Sequence, residues 1–366
     1  MSSPFEGDVD LPKLGQLFVS AGMMNEQRLG ASPTGYVPAA NRKVICTLGP
    51  TSLKPRIIQR LQAVGVSLFR INLSHTAIED VLPAIAFLQE HSTVPVCLDS
   101  EGAQVRTGTF LAPPTNLKKD SLIHVHRHPI SGTAQKFNFT PASTLELLER
   151  GDLITIDFHA VVAEVMELES DRAVLRIRKG GRVGSNKACN VHRDIDLPAI
   201  TAKDRKAIKI GREMGVDHYA LSFANRPEDV GEMRELIGPT ATLISKIESR
   251  CGITNLEEIA ALSDAILIDR GDLSRQVPLE QIPGHQKDII GRVKAVGRPV
   301  YVATNLLESM VHTDVPTLAE INDIYNTLDD GADGLVLAAE TAVGKFPVQC
   351  VVMVMKVITE FERRFR

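Results

Sequence analysis

From residue 42 onward, short apolar runs alternate with longer segments in which apolar residues recur at helical spacing. The short runs predict buried strands, and a period of about 3.6 residues predicts one face of a helix. The predicted strands cover residues 43–47, 66–71, 94–98, 219–223, 242–247, 265–268, 300–303 and 334–337. A predicted helix follows each strand, and residues 198–214 form the one after the third. Eight such units indicate an α/β fold, a closed (β/α)8 TIM-type barrel of parallel strands.

The alternation is interrupted between residues 102 and 196, where apolar and polar residues alternate in short segments. A two-residue period predicts strands, so we expect a small β-rich domain inserted after strand three. Inserted at the carboxyl ends of the barrel strands, it would cover the barrel mouth as a lid. The predicted organisation is an N-terminal extension over residues 1–41, barrel over 42–101, lid over 102–196 and barrel again over 197–366.

Composition excludes several classes of function. The chain has 366 residues, a formal net charge of −4 and 43% hydrophobic residues, values typical of a globular protein. It has no apolar run of the roughly 18 residues that a membrane span needs, and its start lacks the apolar core of a secretory signal. Five cysteines without CxxC spacing favour reduced cytoplasmic thiols over disulfides or a zinc site. Because mild acidity also gives no indication of nucleic-acid binding, we expect a cytoplasmic protein that acts on small molecules.

Polar residues follow the predicted strands repeatedly. In a strand, residues two apart point to the same face, so Lys246 and Glu248 are expected side by side where their strand ends. The residues at the predicted strand ends are Thr47, Arg70, Asn72, Asp99, Lys246, Glu248, Arg270, Asp272, Thr304 and Glu340. One such charge is often only a solvated loop residue, but the whole set at one end of a barrel indicates a functional site. A cation and carboxylates gathered there can hold a divalent metal beside an anionic substrate.

Several segments resemble the motifs of pyruvate kinases, in the same order along the chain. The segment from Arg70 to His75 resembles the family's Arg-x-Asn-x-Ser-His, and the segment from Ile244 to Glu248 resembles its signature. Five further segments resemble other motifs of the family: Thr47–Ser52, Asp99–Gly102, Arg270–Leu273, Ala303–Thr304 and Glu340–Ala342. The resemblance spans residues 43–366 and stops where pyruvate kinases begin their C-terminal domain, which we therefore expect to be absent.

The resemblance implies transfer of a phosphoryl group between phosphoenolpyruvate and ADP, giving pyruvate and ATP. Lys246 would neutralise charge on the phosphoryl group in flight, Arg70 would bind the same phosphate, and Thr304 would lie beside the enolpyruvate methylene. The backbone around Gly271 would receive the substrate carboxylate. The implied substrate-binding residues are Arg70, Lys246, Arg270, Gly271, Asp272 and Thr304.

The resemblance also implies two kinds of cation and a nucleotide site. Glu248 and Asp272 would hold Mg²⁺ or Mn²⁺, which prefer carboxylate oxygen. The ligands of a monovalent cation, typically K⁺, would be Asn72, Ser74, Asp99 and Ser100. The nucleotide would lie near Thr47, Pro50, His75 and Lys187.

Departures from the family pattern keep other functions open. Glu101 stands where the family has lysine, and Gln104 stands at the position often linked to K⁺ dependence, which is glutamate in dependent members. We favour a divergent phosphoenolpyruvate:ADP phosphotransferase. A metal-dependent lyase or decarboxylase could use the same enolpyruvate site without nucleotide, and a non-catalytic protein could bind phosphoenolpyruvate or pyruvate. The sequence also leaves open whether the chain forms a homo-oligomer.

Overall fold

The computed structural model describes residues 42–102, 104–157, 160–193 and 195–364. The predicted N-terminal extension over residues 1–41 lies outside the described residues. None of the described helices is both long enough and apolar enough to cross a membrane.

A closed barrel of eight parallel strands forms the larger part of the fold. Its strands are β1 Lys43–Thr47, β2 Leu68–Asn72, β3 Val96–Asp99, β13 His218–Leu221, β14 Thr242–Ile247, β15 Ala265–Asp269, β16 Val300–Ala303 and β17 Gly334–Leu337. Strand β1 pairs with both β2 and β17, which closes the barrel. The register aligns Thr47 with Arg70 and Asn72 with Asp99, so these strand ends meet at one rim. The predicted (β/α)8 barrel is confirmed.

Most of the described helices belong to the barrel part of the chain, the short helix Thr144–Leu147 belongs to the insertion, and local signals fix several of the helix ends. The α-helices are α1 Pro55–Val64, α2 Ile78–His91, α3 Thr144–Leu147, α4 Ala202–Glu213, α5 Pro227–Ile237, α6 Arg250–Thr254, α7 Leu256–Leu262, α8 Arg270–Leu273, α9 Ile282–Ala295, α10 Leu318–Asp329, α11 Ala339–Ala342 and α12 Pro347–Arg363. Short 3-10 helices occupy Leu279–Gln281 and Glu308–Val311. Helix α4 begins at a capping box in which the side chains of Thr201 and Asp204 each accept a backbone N–H of the other residue. Helix α1 ends at Gly65, whose φ of 105° suits glycine.

The chain between β3 and β13 folds into a second, smaller closed sheet, as expected of a β-rich lid. Its strands are β4 Val105–Thr107, β6 Leu122–His126, β7 Lys136–Thr140, β8 Leu153–Ile156, β9 Val161–Leu168, β10 Arg172–Lys179 and β12 Ala188–Val191, and β5 Thr115–Leu117 pairs separately with β11 Gly181–Val183. Alternate residues such as Ile123 and Val125 point inward and are fully buried, which explains the two-residue sequence period. The exact boundaries at residues 102 and 196 stay a prediction.

Backbone hydrogen bonds fix the first connection between barrel and lid. The amides of Glu101 and Gly102 donate to the two carboxylate oxygens of Asp204, at 2.7 and 3.3 Å. Gly102 has a φ of 75°, and a Cβ there would lie 2.7 Å from the Cβ of Ser222. A side chain at residue 102 would therefore be both strained and too close to its neighbour. The lid begins from a fixed position on the barrel rim.

Two further hydrogen bonds join the lid to opposite parts of the rim. Asn186 donates to the carbonyl of Ser74 at 3.3 Å, and Asn190 accepts from Gln276 at 2.7 Å. A cavity of about 230 Å³ lies between lid and barrel. Asn190 contributes to its lid wall, and Asp272 contributes to its barrel wall. The strand ends of the barrel thus face a space covered by the lid.

Candidate active site

A buried ammonium group lies at the centre of the barrel rim. Strand β14 delivers Lys246, whose Nζ lies 3.0 Å from Glu248, 3.4 Å from Asp99 and 3.6 Å from Asp269. It also donates to the Ser222 hydroxyl at 3.1 Å. Burial lowers the pKa of Lys246, but the three carboxylates outweigh burial and raise it above its ordinary value. Lys246 is therefore a fixed positive charge.

A second buried cation lies beside the first. The guanidinium of Arg70 has its Nε 2.9 Å from Asp99 Oδ2, so Asp99 contacts both cations. Burial lowers the pKa of Arg70, while Asp99 and Asp269 raise it further than burial lowers it. Within the described part of the chain, Nη1 of Arg70 is buried and has no hydrogen-bond partner. A buried donor of this kind is suited to an anion such as a phosphoryl group.

Three carboxylates converge where the sequence predicted a metal site of two. Glu248, Asp269 and Asp272 each offer one oxygen, and these atoms lie within 4.8 Å of one another. Glu248 Oε2 accepts the Phe223 amide at 2.6 Å. Its Oε1 is buried without a hydrogen bond in the described structure, although the Lys246 ammonium is near.

The electrostatics of this cluster fit a divalent cation. Burial raises the pKa of Glu248 to about 8, with Lys246 opposing the shift and the charges of Asp272 and Asp269 adding to it. Three hard oxygen donors that repel one another are the donor set that Mg²⁺ or Mn²⁺ prefers. A bound divalent cation would remove the repulsion and give Glu248 Oε1 a partner.

Thr304 is held in an unusual backbone conformation next to this cluster. Its φ of 72° lies in the left-handed region, which is costly for a β-branched residue. Its hydroxyl accepts the Gly271 amide at 2.8 Å and lies 3.3 Å from Asp269 Oδ1. The Asp272 amide donates to the same Asp269 oxygen at 3.4 Å. The backbone predicted to receive a substrate carboxylate is thus in the site, but its amide donors have internal partners.

The side chain of Arg270 differs from the other predicted substrate-binding residues in its partners. Its guanidinium donates to the Thr304 carbonyl at 2.6 Å and pairs with Asp323 of helix α10 at 2.8 Å. The structure therefore commits this guanidinium to holding the Thr304 loop. Glu340, also at a strand end, accepts the amides of Leu307 and Ala338 and is buried.

The predicted monovalent-cation ligands lie on adjoining strand ends and use oxygens internally. Asn72 Oδ1 accepts the Ser74 amide at 2.9 Å. Ser100 Oγ accepts the Ser222 amide at 2.9 Å, and Asp99 contacts the two cations described above. Their role toward K⁺ stays a prediction.

The predicted nucleotide residues lie on the rim and on the lid. Thr47 is buried beside Arg70 in the register, and its Oγ1 has no partner among the described residues. Lys187 pairs with Asp157 within the lid at 3.2 Å. Desolvation, followed by the positive charges of Arg106, Arg70 and Lys203, lowers the pKa of His75. Pro50 is exposed in the turn after β1. The structure brings Thr47 next to Arg70, and it leaves the role of all four residues a prediction.

Sequence reasoning gave no role to two residues in the centre of the site. Ser222 bridges the Lys246 ammonium and Asp99 through its hydroxyl, at 3.1 and 3.2 Å. Asp269 contacts Lys246, Thr304 and the Asp272 amide. Both residues stand at carboxyl ends of predicted strands, so the rule that selected the other candidates would have included them.

Comparisons with known proteins agree with this geometry. Residues 39–351 match the family described as pyruvate kinase, barrel domain. The chain belongs to the pyruvate kinase family.

Relatives named pyruvate kinase match over most of this chain. The protein of Methylorubrum extorquens is 36% identical over 327 residues, which are 88% of this chain and 68% of the relative. That of Thermotoga maritima is 36% identical over 331 residues, 88% of this chain and 71% of the relative. That of Bacillus licheniformis is 34% identical over 321 residues, 84% of this chain and 55% of the relative. The matched length includes the lid as well as the barrel.

Proposed function

We propose that this chain transfers a phosphoryl group between phosphoenolpyruvate and ADP, with Mg²⁺ or Mn²⁺ and with K⁺, giving pyruvate and ATP. The observation that carries the proposal is the buried Lys246 ammonium, which contacts two carboxylates of the cluster and shares Asp99 with Arg70. The names of the relatives support the same reaction.

The described side chains suit transfer without covalent chemistry by the protein. Lys246 and Arg70 are both fixed cations, and both contact Oδ2 of Asp99. They would stabilise the charge on the phosphoryl group as it moves, at little reorganisation cost because both are already in place. A divalent cation held by Glu248 and Asp272 would supply Lewis-acid polarisation of phosphoryl and enolate oxygens. Thr304 would position the enolpyruvate methylene or relay a proton through water.

The nucleotide and K⁺ parts of the proposal rest on the rim and lid residues. The nucleotide would lie near Thr47, Pro50, His75 and Lys187, where the buried Thr47 hydroxyl has no hydrogen-bond partner among the described residues. The proposed K⁺ ligands are Asn72, Ser74, Asp99 and Ser100, neighbours on the β2 and β3 ends. Replacing K⁺ by tetramethylammonium should lower turnover if they bind the ion.

Phosphorus NMR with phosphoenolpyruvate, Mg²⁺ and K⁺, with and without ADP, tests the reaction. We expect phosphoenolpyruvate to disappear and ATP to appear only when ADP is present. Lys246→Met should abolish turnover, whereas Lys209→Met, on an exposed helix surface, should leave it unchanged. A silent wild-type protein in every mixture would reject the phosphotransferase. Pyruvate release from oxaloacetate without nucleotide would favour the lyase, and ligand binding without turnover would favour the non-catalytic protein.

A further inference from the structure

Asp269 contacts three donors of the site with one carboxylate. Its Oδ1 accepts the Asp272 amide at 3.4 Å and lies 3.3 Å from the Thr304 hydroxyl, and its Oδ2 lies 3.6 Å from Lys246 Nζ. The residue is 4% exposed. A backbone amide, a hydroxyl and an ammonium around one carboxylate are the partners that a bound carboxylic acid would need.

These donors overlap with those proposed for the substrate. We infer that Asp269 is a specificity-determining residue, whose carboxylate takes the place of the substrate carboxylate and competes with it for the Asp272 amide and the Thr304 hydroxyl. The inference rests on the proposed function in taking an enolpyruvate-type acid as the ligand.

Electrostatics makes the competition unfavourable for a carboxylate ligand. Burial raises the pKa of Asp269, but Lys246 and Arg70 outweigh burial and keep the pKa below its ordinary value. Asp269 is therefore an anion, beside Glu248 and Asp272. A ligand carboxylate entering the same space meets like charge and donors that are already engaged. Ligands that carry only a phosphate do not need the Asp272 amide or the Thr304 hydroxyl and are expected to be affected less.

Asp269 also caps the short helix α8, so a structural role has to be separated from competition. The cap is the same hydrogen bond from the Asp272 amide. Asparagine caps a helix about as well as aspartate, so Asp269→Asn keeps the cap and removes the charge. Asp269→Ala removes both. Thr317→Ala removes a cap at helix α10 and serves as a control for cap loss alone.

Calorimetric titration with oxalate, a dicarboxylate probe, tests the inference without nucleotide or turnover. Each variant is first titrated with Mn²⁺ alone, because Asp269 belongs to the carboxylate cluster, and oxalate is then added at saturating Mn²⁺. We expect Asp269→Ala, which frees the Asp272 amide, to bind oxalate about ten-fold more tightly or better, the factor typical of one charged hydrogen bond. Asp269→Asn keeps that hydrogen bond, so it should bind oxalate more tightly than the wild type but less tightly than Asp269→Ala. Inorganic phosphate affinity should rise by a clearly smaller factor than oxalate affinity in Asp269→Ala, because phosphate gains from the lost charge beside Lys246 but not from the freed Asp272 amide, and Thr317→Ala should change neither.

The outcomes separate this inference from the proposed function. Unchanged or weaker oxalate binding in folded Asp269 variants, or no oxalate binding in any protein, would overturn the inference. Tighter oxalate binding combined with a silent wild-type protein in the phosphorus NMR assay would support the role of Asp269 and reject the phosphotransferase. Equal tightening for oxalate and for phosphate would also overturn it, because it would indicate a general loss of negative charge.

Discussion

Removing the Lys246 charge should destabilise the metal-free protein, and a divalent cation should recover part of the loss. Lys246→Met replaces a buried ammonium by an apolar side chain of similar length. The change leaves Asp99, Glu248 and Asp269 buried with one fewer cation among them. Carboxylates left without a counter-charge repel one another and lose the ion pairs that offset their burial.

The distances give the size of the effect. Lys246 Nζ lies between 3.0 and 3.6 Å from its three carboxylate partners. At an effective dielectric constant of about 20, each such pair has a Coulomb energy of roughly 5 kcal/mol. Desolvation offsets most of this energy, and breaking a buried ion pair typically costs about 3–5 kcal/mol. We therefore expect a loss of about 3–5 kcal/mol in the free energy of unfolding, or a Tm lower by on the order of 5–15 °C.

Urea and thermal unfolding, each with chelator and with excess Mn²⁺, measure the effect. Mn²⁺ should raise the stability of Lys246→Met more than that of the wild type, because the metal supplies positive charge that the variant lacks. Lys209→Met is the matched control: Lys209 is 79% exposed, and its replacement should change stability by less than about 0.5 kcal/mol. A Lys246→Met protein as stable as the wild type in chelator would refute the buried ion cluster.

Two further changes test the lid connection and the metal cluster. Gly102→Ala should destabilise the protein by more than about 1 kcal/mol, because the new Cβ would meet Ser222 at a positive φ. Gly284 occupies a helical position where, beyond the helix's own backbone, no atom of the described residues lies within 4 Å of an added Cβ. Gly284→Ala should instead be neutral or stabilising, and equal losses in both variants would contradict the strain. The affinity of the metal-free protein for Mn²⁺ should rise with pH up to about 8. Below its raised pKa of about 8 the Glu248 carboxyl is protonated, and the metal must displace that proton to bind. Calorimetry at several pH values measures this rise, Glu248→Gln should flatten it, and an affinity independent of pH in the wild type would argue against the raised pKa.

The sequence predicted the barrel because its signal is local. Each strand contains a short, largely buried apolar stretch, and the true bounds of β1, β14, β16 and β17 equal the predicted ones. Strand β2 begins at Leu68 and not at the predicted residue 66, because its pairing with β1 starts at Leu68. Strand ends are the least determined part of such a prediction, because hydrogen bonding to neighbours decides them.

Most residues of the candidate site could be predicted because they lie at strand ends. The contacts between side chains from different strands and helices could not be predicted. Lys246 and Glu248 lie side by side, as spacing within one strand implies. The contact of Asp99 with both Arg70 and Lys246 joins three strands, and nothing in the spacing encodes it. The guanidinium of Arg270 points to Asp323, a partner on a helix 53 residues away. Side-chain direction at a strand end depends on such distant partners, and sequence pattern carries no information about them.

The partners of Glu101 could not be predicted from the sequence either. Its negative charge, where the family has lysine, is a reason to consider functions that use no nucleotide. Its carboxylate lies 3.9 Å from Lys203 Nζ, and Lys203 also donates to the carbonyl of Leu73. Burial lowers the pKa of Arg106, while Asp272 and Glu101 act to raise it, so Glu101 also faces a second cation. Glu101 therefore has two cationic neighbours, Lys203 and Arg106, that offset its negative charge. An offset carboxylate repels an approaching phosphate less than an isolated one, so Glu101 by itself does not favour a lyase over a phosphotransferase.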